Sequence, residues 1–278
     1  MITDRDTNKV FFSPALARVC PRLWEAAHTA LMERGVRHEL LKGNPQYFWC
    51  RDYMPIQIEE DEYVSYHFRP DYLLEFQDRY QYALDYDGDK ACREMGCQTK
   101  RMDLVVDGGN VVKCDDTIVM TEKVFVENAT KNKKEVERIL SESLKCDILF
   151  LPWDRENEKY GHSDGIIHYA GDGKVVMTNY HDFDKELARE MEKRLGRKFE
   201  VVNLSYKTKR MHRMNWAYIN FLQTERLIVV PMLELEEDEQ ALEQIEKVFP
   251  DVEVIGVPAL EAVRKGGGMN CVTWNVKE

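Results

Sequence analysis

The sequence has no run of roughly 18 apolar residues, the length that a membrane-spanning helix needs. Its first twelve residues, MITDRDTNKVFF, also lack the basic segment and long apolar stretch of a secretory signal. A cytosolic protein is the expectation. No C-x-x-C pair occurs, and the seven cysteines are an odd count that suits a reducing compartment better than a disulfide framework. Most of them, Cys20, Cys114 and Cys146 included, read as small core residues. Positive charge is in deficit: 39 Lys and Arg against 50 Asp and Glu leave a formal net charge of −11, which argues against nucleic acid or an anionic membrane as partner and fits a small cationic ligand. Linkers and low-complexity segments are missing too. What is present is a globular composition, 44% hydrophobic and 32% charged over 278 residues, enough to bury a large core.

One short stretch raises a chemical question. GHSDG, residues 161 to 165, fits the G-x-S-x-G elbow of serine hydrolases with Ser163 at its centre. That elbow requires a buried strand before the serine and a helix after it. Here the upstream DRENEKY is charged, and the downstream GIIHYAGDGKVVMTNY reads as a strand, a Gly-Asp-Gly turn and a second strand. His162 and Asp164 therefore need another explanation.

A repeat supplies it. The segments 48–68, 105–125, 161–180 and 215–233 read as β-hairpins, and 266–276 supplies one further strand. Anchored on Asp52, Asp107, Asp164, Ala217 and Cys271, they are spaced by 55, 57, 53 and 54 residues. Between hairpins come helical patterns (KNKKEVERILSESL, FDKELAREMEKRLG, EDEQALEQIEKVF) and then short apolar strands (DILFLP, FEVVNL, VEVIGV). Each unit reads strand, strand, helix, strand, with 69–102 the least regular. Five units predict an α/β ring, a single domain over 1–278, with the N-terminal KVFFSP pairing the last strand to close it.

In such a ring the equivalent anchors converge. Three carboxylates together repel one another unless a cation lies between them, and a guanidinium, planar and cheaper to desolvate than an ammonium, is the best match. His162, two residues before Asp164, is expected on the same face of an extended strand. A cysteine at the guanidinium carbon could act as nucleophile, its thiolate favoured by the cationic substrate and His162. Glycines at 108, 109, 161 and 266–268 let backbone approach a ligand closely.

The motifs WCRDYMP, DGGN, GHSD and GGGMNCVT, in this order and spacing, resemble the guanidine-modifying pentein superfamily, nearest its agmatine deiminase and bacterial peptidylarginine deiminase branch. The resemblance runs from about Trp49 to the C-terminus. It implies a five-bladed α/β propeller that hydrolyses guanidines to ureas without metal or organic cofactor. Carried over by motif, Asp52 and Asp164 clamp the guanidinium, His162 is the general acid/base and Cys271 the nucleophile. Asp107 stands where agmatine deiminases usually have glutamate. Trp49, Asn110 and Gly268 are implied in substrate binding. Two departures concern the substrate: Asn270 replaces the usual histidine before the cysteine, and the tryptophan-rich N-terminal motif is missing. Met54 replaces a usual glycine and is expected to reshape the pocket mouth.

Other readings stand beside this one. Arg51 and Asp52 could form a structural ion pair. His162, Asp164 and His168 form H-x-D-x-x-x-H, which could hold a metal on one strand face, although His168 reads better as a satisfied core residue. An amidinotransferase would use the same cysteine chemistry, and a non-catalytic pentein could serve as a binding module. The sequence names neither the guanidine nor the oligomeric state, a homodimer being one option.

Overall fold

A computed structural model describes residues 1–208 and 212–278. Its strands, in chain order, are β1 (Lys9–Phe12), β2 (Arg37–Leu40), β3 (Ile56–Glu59), β4 (Glu62–His67), β5 (Gln98–Val105), β6 (Val112–Cys114), β7 (Thr117–Thr121), β8 (Asp147–Leu151), β9 (Ile167–Gly171), β10 (Lys174–Met177), β11 (Glu200–Asn203), β12 (Leu222–Gln223), β13 (Leu227–Met232), β14 (Glu253–Pro258) and β15 (Thr273–Val276). Among the described residues they make five three-stranded sheets, ordered β3-β4-β5, β6-β7-β8, β9-β10-β11, β12-β13-β14 and β15-β1-β2. In every sheet the central strand pairs antiparallel with one neighbour and parallel with the other. The parallel step needs a crossover, and a helix lies in each one. The expected unit of strand, strand, helix, strand is thus what folds, and the N-terminal strand β1 does pair with β15, Phe12 opposite Thr273.

Local chemistry accounts for these elements. The helix Lys133–Leu144 starts where the Asn132 side chain accepts the Glu135 N–H at 3.0 Å. It buries Val136, Leu140 and Leu144, four residues apart on one face. Asp184 caps the helix Lys185–Leu195 in the same way, and Ala188, Met191 and Leu195 are buried. The β9–β10 hairpin turns through Gly171, Asp172 and Gly173, with φ of 92°, 51° and 70°, a left-handed run that two glycines make accessible. The irregular region 69–102 holds three short helices, Asp71–Leu74, Gln77–Leu84 and Gly88–Glu94, instead of one. No helix among the described residues is long and apolar enough to cross a membrane.

Burial falls across each sheet, from first and central strands such as β7, β12 and β15 that are wholly buried to third strands such as β2 and β11 that are largely open. The turns that precede the first strands consequently meet. Cys50–Tyr53 touches Gly108–Asn110, which touches Ser163–Gly165, which touches Asn215–Ile219. The contacts return to their start, because Cys271 N–H donates to the Asn220 side chain and Arg51 N–H to the Cys271 carbonyl. Phe12, fully buried in the strand that joins the two chain ends, packs edge-on against Trp24 at 5.4 Å. Phe12→Ala should cost about 3–5 kcal/mol in urea unfolding; a cost below about 1 kcal/mol would show that the β1–β15 pairing does not hold the fold.

Candidate active site

The meeting turns bring Asp52, Asp107, Asp164, His162 and Cys271 together. Ligand atoms of His162, Asp164 and Cys271 lie within 4.8 Å of one another, and so do those of Asp52, Asp107 and His162. All three carboxylates are buried, as is Cys271. Asp52, His162, Cys271 and Trp49 line a cavity of about 850 Å³. Ala217, the fourth anchor, is buried without adding charge.

Each group is held by its own turn. Asp107 caps Gly108–Asn110, its Oδ1 accepting the Gly109 N–H at 3.1 Å. A Cβ at Gly109 would come within 2.3 Å of the His162 ring, and one at Gly108 within 2.0 Å of the Arg51 carbonyl, so only glycines let these loops approach. His162 Nε2 lies 3.0 Å from Asp107 Oδ2, an ion pair without well-aligned hydrogen-bond geometry. The expectation that His162 shares a face of an extended strand with Asp164 does not hold: His162 precedes the short turn Ser163–Gly165, whose tight winding sends neighbouring side chains in different directions. Ser163 is wholly buried and donates to the Val119 carbonyl, and a strand follows it, so the elbow reading has no support here.

Two groups invisible to motif reasoning complete the site. Tyr72, in the irregular region, donates to Asp107 Oδ2. The Asn220 carboxamide donates to the Asp164 carbonyl at 3.2 Å, while its oxygen accepts the N–H groups of Gly268 and Cys271 at 3.0 and 3.2 Å. Asn220 lies three residues after its anchor Ala217, as Asn110 lies after Asp107, and that register was a usable signal. Asn270 donates to Asp164 Oδ2 at 2.7 Å and accepts from Arg51 Nη2 at 2.8 Å. Arg51 is paired with Asp4 at 3.7 Å, so the structural ion pair expected at R-D has a different acid. Asn110 turns its amide to the Thr121 backbone and Gly268 turns its N–H to Asn220, and neither lines the cavity. Met54 also lies away from the mouth, buried in the core beneath the Tyr66 hydroxyl bonded to its carbonyl.

His168 is buried against Phe221 and bonded to Gln223 at 2.9 Å, and it belongs to neither cluster of potential metal ligands. Those clusters do have ligand-like closeness. Burial would lower the pKa of His162, yet Asp107, Cys271 and Asp52 together hold it well above the ordinary value. The charge distribution among the rest follows from that imidazolium. Burial, then Asp107, pushes Asp52 well up, and burial also raises Asp164 despite His162. Asp107 ends below its ordinary value because His162 and Tyr72 outweigh its burial. Burial and Asp164 push the Cys271 thiol up to about 12. One oxygen each of Asp52 and Asp164 is buried with no hydrogen-bond donor.

A sequence model of the family described as Porphyromonas-type peptidyl-arginine deiminase matches residues 15–276. The chain belongs to this family. It is 26% identical over 230 residues to a provisionally named agmatine deiminase of Lactococcus lactis, covering 68% of this chain and 63% of that protein. A provisionally named agmatine deiminase of Photobacterium profundum is 25% identical over 273 residues, 82% of this chain and 74% of its own length. The chain thus spans under two thirds of the Lactococcus protein. An agmatine deiminase of C. jejuni, solved as a cysteine-to-serine variant with substrate bound, superposes with a TM-score of 0.76 at 17% identity, over 100% of this chain and 96% of that one. The fold is therefore the pentein arrangement of five pseudo-repeats.

Two outcomes follow from the charges. With its pKa near 12, Cys271 in the ligand-free protein should alkylate slowly with iodoacetamide at pH 7, the rate climbing through pH 9 to 10 without a plateau; peptide mapping that finds a plateau near pH 7 would refute the thiol assignment. Because Asp52 has a raised folded pKa, the native state binds the extra proton and stability falls as pH rises past about 4. Asp52→Asn should therefore raise Tm at pH 7, with the gain vanishing below about pH 4; an equal gain at every pH would point to packing instead.

Proposed function

We propose that the chain is a single catalytic domain that hydrolyses a guanidino compound to a ureido product and ammonia through Cys271. The observation that carries the reading is the pair of donorless oxygens on Asp52 and Asp164 beside the thiol. A buried carboxylate oxygen without a donor is costly, and a guanidinium supplies five N–H groups in one plane. Held between these acids, its central carbon would face Sγ of Cys271, which lies 3.6 Å from Asp164 Oδ2.

Binding also changes the thiol. Burial first, and then Asp164 and Asp52, hold the Cys271 pKa up; the incoming cation neutralises the two carboxylates, so the substrate itself favours the thiolate. The Cys271 proton passes to solvent as the cation binds; thiolate Sγ attacks the guanidinium carbon to form a tetrahedral adduct, and imidazolium His162 protonates the departing nitrogen, which leaves as ammonia. The resulting S-alkyl thiouronium accepts a water whose proton returns to His162. Collapse then expels the thiolate and releases the ureido product. Asp107 keeps His162 charged for the first step, and Tyr72 bonds to Asp107 from the side. Family membership and the substrate-bound C. jejuni variant support this reading.

The test is an assay for ammonia and ureido product in EDTA with no added amine. Wild-type protein should form both. Cys271→Ser should abolish turnover and Ser163→Ala retain most of it. Asp164→Asn should lower kcat/KM by roughly 10²- to 10⁴-fold, the loss of about 3–5 kcal/mol expected when one partner of a buried pair is removed. Absence of ammonia, with the parent amine and a new guanidine formed only when an acceptor amine is supplied, would instead identify amidino transfer.

A further inference from the structure

The mouth of the cavity carries charge of the opposite sign to its floor. Arg18, Arg79, Lys159 and Lys265 line the cavity and are exposed, which places them at its rim. Asp52, on the floor, is the only carboxylate among the lining residues. None of these four enters an ion pair among the described residues, so their charges are not cancelled locally. Arg18 donates to Gln46 at 2.8 Å, and the cations of Arg79 and Lys159 lie 5.4 and 4.9 Å from the rings of Tyr80 and Tyr160. They come from separate parts of the fold, the segment after β1, the Gln77–Leu84 helix, the loop after β8 and the loop before β15, and converge only here. The charges of Arg79 and Arg18 both reach the phenol of Tyr82, another lining residue.

A substrate with a second cation at its far end would meet these four charges as it entered, whereas an anion there would be drawn in. We propose that the rim receives a carboxylate, so that the substrate is a small guanidino acid and not a guanidino amine. The inference rests on the guanidine-hydrolase reading above and adds the identity of the far end. A cavity of about 850 Å³ falls within the range of about 300–1,000 Å³ common for small-molecule sites. Such a molecule carries one charge of each sign, guanidinium to the floor and carboxylate to the rim, and both ends are matched.

The deciding experiment compares three compounds with the same four-methylene arm: 5-guanidinopentanoate, agmatine and N-acetylagmatine, ending in an anion, a cation and a neutral amide. Wild-type kcat/KM should favour the acid over agmatine by about tenfold or more, the worth of a few exposed charge interactions. The ratio should shrink at high salt, because the rim is open to solvent. In Arg79→Glu/Lys159→Glu the order should invert towards agmatine, with Arg18→Glu/Lys265→Glu as a second pair. Thermal melting shows whether each variant is folded. Agmatine turned over as well as the acid by wild-type protein overturns the proposal and leaves the hydrolase reading standing, as does an unchanged ratio in folded variants. Turnover of none of the three overturns both.

Discussion

The structure turns on negative charge buried without enough positive charge to balance it. Asp52, Asp107 and Asp164 sit within one cluster of turns, with the His162 imidazolium beside them and the Arg51 guanidinium bonded to Asn270, Asn275 and Asp4. Asp107 takes the imidazolium and ends with a lowered pKa, whereas burial holds Asp52 and Asp164 above their ordinary values despite His162. This imbalance is costly to the protein, and it is what the proposed guanidinium would relieve. A ligand that brings one charge and several donors relieves both carboxylates at once.

Around the cluster the neutral amides keep the acids in place without cancelling them. Asn270 bonds Asp164 on one side and Arg51 on the other, and Arg51 is paired with Asp4 beyond it. A guanidinium is therefore present one residue away from Asp52 but is engaged elsewhere, by Asn270, Asn275 and Asp4. Had Arg51 turned to Asp52, it would have occupied the place proposed for the substrate's guanidinium. Asn220 plays a similar neutral part, fixing the backbone on both sides of the cysteine through Gly268 and Cys271. Asn270 cannot carry charge, so in the proposed reaction the proton falls to His162.

The irregular region 69–102 has the largest functional share relative to its legibility. It breaks the repeat with three short helices, and from them come Tyr72 against Asp107 and the cavity-lining Arg79 and Tyr82. Repeats position what is common to every unit. Departures from the repeat are where one unit reaches over its neighbours, and such contacts follow no spacing rule.

Much of the protein was determined by the sequence alone. A period of 53 to 57 residues, alternating strand patterns and amphipathic helices are local properties, and they dictated five like units, the pairing of the chain ends and the five anchor positions that later met. Equivalent positions converge in a closed set of repeats whatever the loops do, and for that reason Asp52, Asp107, Asp164, His162 and Cys271 were legible together. Tertiary structure alone decided how each side chain is used. Asn110 and Gly268, both in the motifs, turn to the backbone, while Asn220 and Tyr72, outside them, complete the site. It also decided that His162 leaves a turn and not a strand, which oxygens lack donors and which cations gather at the rim. These are matters of direction and distance between residues far apart in the chain, and a sequence pattern records the order of side chains but not where they point.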